Sequence, residues 1–272
     1  MNLSFSTLAC PDWTLPQIIA IASASAYDAI ELRFVENEDS LWKLPALRGN
    51  ELAVTKKSLS DHGLLISCVD TSCRFHFPDA AERRRWLEEG ERMGELAAAL
   101  GAPGIRVFGD TIQPDADRVS TQAWIAESIR ALAEKIAPTG VEVWLETHGD
   151  FAGGAETSAI VAEASSSNVG VLWDPANCFL KFHENPHEGA AHLGSSVRYV
   201  HVKDLRQNDT AWQPVLTGAG NFPLAEVRSA LRQLNYRGCI SFEWEKKWHP
   251  EIPDARVALP QFARWFRENW AE

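Results

Sequence analysis

Four polar residues stand near the ends of four apolar, β-rich runs in the C-terminal half of the chain. Glu146 ends VEVWLE, Asp174 ends VGVLWD, His201 lies in VRYVHV and Glu243 lies in CISFEW. Carboxylates in such apolar surroundings are costly to desolvate unless a cation compensates them. Three carboxylates and one imidazole suit Mn²⁺, Mg²⁺ or Co²⁺, with Zn²⁺ as a further choice. Any one of them alone would be an ion-paired rim residue, but four in register predict a divalent metal site.

The elements that must position these residues are alternating strands and helices. Strands are predicted over 2–8, 28–34, 64–70, 104–109, 141–146, 169–174, 197–202 and 239–244. Helical spacing of apolar residues occupies 14–26, 50–62, 79–100, 117–137, 157–166, 186–195, 223–235 and 254–270. Eight units in 272 residues average 34 residues each, which predicts an α/β chain folded as a single (β/α)8 TIM barrel over 1–272. The active site of such a barrel forms at the C-terminal ends of its strands.

Glycines support this alternation and argue against an open sheet. Gly63, Gly101, Gly140 and Gly238 each follow a helical run, where a left-handed residue would end the helix. A doubly wound open sheet would carry a phosphate-binding glycine fingerprint near its start. The only fragment of one is the GAG at 218–220, which lies late in the chain and is interpreted as a loop.

Composition limits the partners. Twenty-six basic and 37 acidic residues give a net charge of −11, which disfavours nucleic acid and anionic membrane surfaces. The five cysteines show no C-x-x-C spacing, and the N-terminus lacks a basic region followed by an apolar stretch. We therefore expect a cytoplasmic protein with no nucleic acid or membrane partner, and a homodimer as the default oligomer.

Several motifs together resemble a known family. They are AIELRF (29–34), VWLETHG (143–149), LWDPAN (172–177), YVHVKD (199–204) and LTGAGNFPLAEVRSALRQLNYRGCISFEWE (216–245). They resemble the xylose isomerase-like TIM barrels, in particular the sugar phosphate isomerase/epimerase group. That group includes hydroxypyruvate isomerase, ketose 3-epimerases, inosose dehydratase and, more distantly, endonuclease IV.

The resemblance implies a metal site and an acid/base pair. It implies that Glu146, Asp174, His201 and Glu243 ligate one divalent ion, with Mn²⁺ the first choice, and that Glu146 and Glu243 are the catalytic pair. The implied activity is that of a metal-dependent isomerase or epimerase that acts through an enediolate. The implied partner is a small-molecule carbohydrate substrate, a keto-sugar or related polyol derivative. A dehydratase of the inosose or dehydroshikimate kind and a non-catalytic sugar-binding or partner-subunit barrel are the alternatives. Asn177 and Gln207 stand where ketose 3-epimerases have His and Arg, which argues against that activity on a free sugar.

Four further residues are predicted to contact substrate. Arg33 could hold a carboxylate or phosphate, with an ion pair to Glu31 as the alternative. His148 could reach a substrate hydroxyl or bond solvent, and Asn177 could orient a ligand or cap a turn. Lys203, two residues after the predicted histidine ligand, is a candidate for contact with an anionic oxygen or the enediolate.

Overall fold

Eight parallel strands form a nearly closed barrel in the structure, a computed structural model that describes residues 1–209 and 211–270. The barrel strands are β1 (Asn2–Phe5), β2 (Ala29–Leu32), β3 (Leu65–Arg74), β4 (Gly104–Phe108), β5 (Glu142–Glu146), β6 (Val169–Trp173), β7 (Val197–Val202) and β10 (Cys239–Phe242). They lie in the order β1-β10-β7-β6-β5-β4-β3-β2, and a parallel bridge from Ser6 to Glu31 joins the two ends. All eight predicted strands are present, so the predicted (β/α)8 TIM barrel is confirmed.

The helices follow the strands. They are α1 (Leu15–Ala24), α2 (Gly49–Asp61), α3 (Ala80–Leu100), α4 (Arg118–Ile136), α5 (Gly154–Ala164), α6 (Pro175–Phe182), α7 (Pro186–Leu193), α8 (Leu224–Gln233) and α9 (Ala255–Asn269). Eight of them correspond to predicted segments. The unpredicted helix is α6, which begins at Pro175 directly after its N-cap, Asp174. A proline in the first turn after an aspartate is a favourable helix start.

A two-stranded antiparallel hairpin, β8 (Asp204–Gln207) and β9 (Trp212–Val215), was also not predicted. The Asp204 carboxylate accepts hydrogen bonds from the backbone N–H groups of Gly218 (2.8 Å) and Gly220 (2.9 Å). A Cβ atom at Gly220 would collide with that carboxylate and with the Leu205 carbonyl. The GAG segment is therefore a loop, as predicted, and Asp204 anchors it beside the barrel mouth.

Three of the four predicted helix-ending glycines have the expected conformation. Gly63, Gly101 and Gly140 have φ angles of +67°, +78° and +77°. The prediction was wrong for Gly238, because the left-handed residue after α8 is Asn235, with φ +53°. Asparagine tolerates this region better than other residues that carry a Cβ atom.

Polar side chains fill part of the barrel interior. The hydroxyls of Ser4 and Ser67 lie 2.7 Å apart, and Ser67 is 2.7 Å from the Tyr199 hydroxyl, which links β1, β3 and β7. The Tyr199 ring stacks on Trp144 with 5.4 Å between centroids. A Cβ atom at Gly104 would collide with the Trp144 indole, so glycine leaves the space that the indole fills.

The main hydrophobic core lies outside this interior. Apolar residues of the strands, such as Val107, Val143 and Val200, pack with apolar faces of helices that include Ile129 and Phe262. Burial of this shell supplies the main favourable contribution to folding. Among the described residues, no helix is both long enough and apolar enough to cross a membrane.

Candidate functional site

A cavity of about 430 Å³ opens where the barrel strands end. Its volume is typical of a small-molecule site. The four residues predicted to contact substrate all line it, together with the two predicted acid/base glutamates: Arg33, His148, Asn177, Lys203, Glu146 and Glu243. Phe34, Phe108 and Trp248 supply aromatic surface to the same wall.

His201 connects the cavity to the barrel interior. Its side chain is fully buried, and its Nε2 atom lies 3.1 Å from both carboxylate oxygens of Glu31. Its Nδ1 atom lies 3.3 Å from Oε1 of Glu243. One possible ligand atom from each of Glu146, His201 and Glu243 falls within 4.8 Å of the others. The structure therefore brings three of the four predicted ligands together.

Asp174, the fourth predicted ligand, is adjacent to this group rather than within it. Its Oδ1 atom accepts hydrogen bonds from the N–H groups of Ala176 (2.9 Å) and Asn177 (3.2 Å), which fixes the carboxylate at the start of α6. Its Oδ2 atom lies 2.8 Å from Nζ of Lys203. The contacts of Oδ1 thus orient the side chain, and Oδ2 faces the ammonium of Lys203.

Lys203 occupies the space between the acidic residues. Besides Asp174, its Nζ atom lies 2.6 Å from Oε2 of Glu243 and 2.5 Å from Oε1 of Glu245. These carboxylates hold the pKa of Lys203 well above its usual value despite burial. The ammonium thus pairs with carboxylates of the protein and is not free to bind an anionic oxygen of a substrate. It supplies positive charge to the acidic site.

The donor atoms fit a divalent ion. Within the two described segments of the chain, Oε2 of Glu146, Oδ2 of Asp174 and Nδ1 of His201 are buried and make no hydrogen bond of good geometry. Burial raises the pKa of Asp174 to about 6, although Lys203 acts in the opposite direction. Such atoms are the expected ligands of a hard or borderline ion.

The buried charges around the site point the same way. Five buried carboxylates meet three buried cations, which leaves a formal excess of two negative charges when histidine is counted as neutral. The carboxylates belong to Glu31, Asp70, Glu146, Asp174 and Glu243, and the cations to Arg33, Arg106 and Lys203. A single divalent ion would balance this excess.

Sequence reasoning missed the carboxylate of Glu31 as a partner of the metal-site histidine. The alternative of a Glu31–Arg33 rim ion pair was wrong, because Glu31 is fully buried against His201 and Arg33 donates to Ser72 instead, at 2.9 Å. A carboxylate on one imidazole nitrogen fixes the tautomer and leaves the other nitrogen for a metal.

Asp70 and Arg106 were also missed. Nη2 of Arg106 donates to Oδ2 of Asp70 at 3.1 Å, and Nη1 lies 3.2 Å from Oε2 of Glu146. A usable signal was present, since Arg106 interrupts the apolar strand GIRVFG and Asp70 ends the apolar strand LLISCVD. The strand-end rule that identified Glu146 would have identified Asp70, whereas Arg106 lies in the middle of β4.

His148 and Asn177 have protein partners as well as a face on the cavity. Nδ1 of His148 lies 3.2 Å from Oδ1 of Asp110. Burial opposes protonation of His148, but the contact with Asp110 and the charge of Glu146 outweigh it and raise the pKa of the imidazole. The Asn177 amide donates to Oε1 of Glu146 at 3.3 Å and so orients that carboxylate.

Comparisons with known proteins agree with the fold. The family model described as xylose isomerase-like TIM barrel matches residues 19–268. A 3-dehydroshikimate dehydratase from Pseudomonas aeruginosa is 25% identical over 242 residues. The match covers 85% of this chain and 36% of that protein, so the chain spans about a third of this curated relative.

Two solved structures superpose over the whole chain. A D-psicose 3-epimerase crystallised in the presence of D-fructose gives a TM-score of 0.81 at 18% identity, and an IOLI protein with a binding zinc atom gives 0.80 at 15% identity. Each match covers 100% of both chains.

Proposed function

Because the chain belongs to the xylose isomerase-like TIM barrel family, we propose that it is a divalent-metal-dependent isomerase or epimerase of a keto-sugar or related polyol derivative. The observation that carries the proposal is the close group of Glu146, His201 and Glu243 at a cavity of small-molecule size. The zinc in the IOLI protein and the sugar chemistry of D-psicose 3-epimerase support the same class.

Glu146, Asp174, His201 and Glu243 would hold the ion. When bound, a divalent ion supplies a Lewis acid that polarises a carbonyl and stabilises the negative charge left when the neighbouring proton departs. Mn²⁺ is our first choice, with Mg²⁺, Co²⁺ and Zn²⁺ as alternatives, because the donors are mainly carboxylates.

The two glutamates divide the proton transfers. Glu146 ends β5 and Glu243 follows β10, and β6 and β7 separate these strands in the barrel. Burial opposes ionisation of Glu243, but Lys203 and His201 lower its pKa to about 2, so the group is a carboxylate at neutral pH, the form that a proton acceptor needs. Glu146, oriented by Asn177, would start as the carboxylic acid and give its own proton to the opposite face of the same carbon, which is epimerisation. Protonation of the neighbouring carbon, with a proton moving between the two oxygens, would be isomerisation. Exchange with solvent would then restore the starting protonation of both glutamates.

A dehydratase is the second candidate, and His148 favours it. Loss of a hydroxyl needs an acid near the departing oxygen. His148 lines the cavity, and its contact with Asp110 stabilises the protonated imidazole. The similarity to 3-dehydroshikimate dehydratase also supports this candidate.

Proton NMR in deuterated buffer with added Mn²⁺ tests both candidates on a panel of keto-sugars, inososes and hydroxy-keto acids. Exchange of a carbon-bound proton with the carbon skeleton and hydroxyls retained supports the isomerase or epimerase, and loss of a hydroxyl supports the dehydratase. No exchange with any compound would favour a non-catalytic barrel.

Two variants assign the roles. We expect Glu243→Gln and Glu146→Gln to remain folded and to lose exchange, while Glu88→Gln, which removes an exposed carboxylate from α3, behaves as wild type. Elemental analysis is expected to find about one ion per chain. Exchange at the wild-type rate in Glu243→Gln would remove it as a proton carrier.

A further inference from the structure

The guanidinium of Arg33 is held rigidly at one end of the cavity. Its backbone N–H donates to Oγ1 of Thr7 at 2.8 Å, and Nη2 donates to Oγ of Ser72 at 2.9 Å. Its Cζ atom lies 4.3 Å from the centre of the Phe34 ring. Only 7% of the side chain is exposed. The anchored backbone N–H and Nη2, together with the Phe34 ring, leave little freedom of movement to Nη1, the other terminal nitrogen.

Nη1 of Arg33 has no hydrogen-bond partner in residues 1–209 and 211–270. Oδ2 of Asp39 lies 3.9 Å away, beyond hydrogen-bond distance, and already accepts from Ser72 at 2.6 Å. A buried, charged donor without a partner is unfavourable. Because Arg33 lines the cavity, a bound molecule can supply the missing acceptor.

A second guanidinium, which is paired with the carboxylates of Asp70 and Glu146, lies on the same cavity. Arg106 also lines the cavity and is 97% buried, and its Nε and Nη1 atoms make no hydrogen bond of good geometry to the described part of the chain. Burial, followed by the charge of Arg106, lowers the pKa of Arg33 to about 10. An anion bound at Arg33 would offset the repulsion that Arg106 exerts on it.

We propose that this end of the cavity binds a carboxylate of the substrate, with Arg33 as the principal contact, so that the substrate is a polyhydroxylated acid. The inference rests on the proposed function only in taking this cavity as the substrate site. A carboxylate fits better than a phosphate, because one free nitrogen beside the Asp39 carboxylate accommodates a single negative charge better than two. The carboxylate would lie at the Arg33 end, with the reacting carbons nearer Glu146 and Glu243.

A matched pair of probes tests the proposal without turnover. Gluconate and glucitol are six-carbon polyols that differ in a carboxylate against a hydroxymethyl group. Their binding to the full chain is measured by calorimetry, once with metal-stripped protein and once with Mn²⁺. We expect gluconate to bind wild type about tenfold more tightly than glucitol in both states, as a charge-assisted hydrogen bond requires.

Three variants identify the residue responsible. Arg33→Gln is expected to abolish the gluconate preference, and Arg84→Gln, an exposed arginine of α3, to retain it. Asp39→Asn removes the carboxylate 3.9 Å from Nη1 and is expected to raise gluconate affinity about fivefold. This gain cannot result from misfolding, so it tests the proposal even if Arg33→Gln is unstable.

Several results would contradict the proposed carboxylate site. Equal binding of the two probes, no binding of either, or a preference that persists in folded Arg33→Gln would overturn the proposal. A preference seen only with Mn²⁺ and unaffected by Arg33 would place the carboxylate on the metal. Stronger competition by inorganic phosphate than by acetate would replace the carboxylate with a phosphate. Because metal-stripped protein is included, the proposal can hold even if no exchange reaction is found.

Discussion

The variant Lys203→Met tests whether the ammonium of Lys203 and the proposed divalent ion compete for the same acidic site. The ammonium lies 2.8 Å or less from carboxylate oxygens of Asp174, Glu243 and Glu245. A divalent ion held by the first two must share this space with Lys203. Methionine keeps much of the side-chain length and removes the charge. We therefore expect the metal-free protein to lose stability and the affinity for Mn²⁺ to increase.

Both effects can be given a size. Removing one partner from a buried ion pair costs about 3–5 kcal/mol. At about 2–4 °C per kcal/mol for a large domain, Tm of the metal-free protein should fall by roughly 10 °C. A unit charge about 4 Å from a divalent ion contributes up to about 8 kcal/mol at an effective dielectric constant of about 20. Relaxation reduces this, so we expect at least about a tenfold gain in Mn²⁺ affinity.

The assay is a thermal melt with and without Mn²⁺, combined with calorimetric titration of the metal-stripped protein. Lys181→Met is the matched control, because Lys181 pairs with Asp150 at 2.8 Å but is half exposed. It should change stability by less than about 1 kcal/mol and leave Mn²⁺ affinity unchanged. If Lys203→Met binds Mn²⁺ as wild type or more weakly, the ion and the ammonium do not compete and the placement of the metal is wrong.

Three further predictions concern other parts of the structure. Glu31→Gln should weaken Mn²⁺ binding about 10- to 100-fold by removing the carboxylate that orients the histidine ligand, and an unchanged titration would contradict this. Because the folded-state pKa of His148 is raised above 6.5, its contact with Asp110 stabilises the protein below that pH, and the contribution disappears as pH rises through the raised pKa. Asp110 has a lowered pKa, so its share is lost as pH falls below about 3.8. The free energies of unfolding of wild type and His148→Asn, measured by urea titration, should therefore differ most near pH 5–6, by less than about 1 kcal/mol. A difference that grows towards pH 9 would refute the assignment. Gly104→Ala should lose about 1–3 kcal/mol through collision with Trp144, and wild-type urea stability would contradict that packing.

The barrel was predictable because its signal is local. Each strand is a short apolar run, and each helix has its own spacing, so alternation could be seen without knowledge of distant contacts. The elements that were missed are short. α6 has eight residues and the hairpin strands have four each, but α7, β1, β2 and β10 are equally short and were predicted, so length alone is not the reason. The hairpin is instead stabilised by Asp204 and the glycine loop, which are contacts between segments 14 and 16 residues apart.

The site was only partly predictable for a related reason. Strand ends and side-chain parity placed Glu146 and Glu243 on one cavity, but they could not reveal which partner each charge would choose. Glu31 of β2 is two residues from Arg33, yet it pairs across the barrel with His201, 170 residues away. Contacts across a closed barrel depend on strand tilt and register, which no local pattern contains.

Side chains that point into the barrel differ in kind from those that point outward to the helices. The hydroxyl chain of Ser4, Ser67 and Tyr199 lies on the axis, whereas apolar side chains such as Val200 face the helical shell. Neighbouring residues of one strand thus serve different purposes, with Val200 contributing to folding and His201 belonging to the proposed metal site. The axis can change its charges and hydrogen bonds without dismantling the shell, and the shell can be repacked without moving the site. New specificity is then accessible through inward-facing positions, with a stability cost that is largest where a paired buried charge such as Lys203 is replaced.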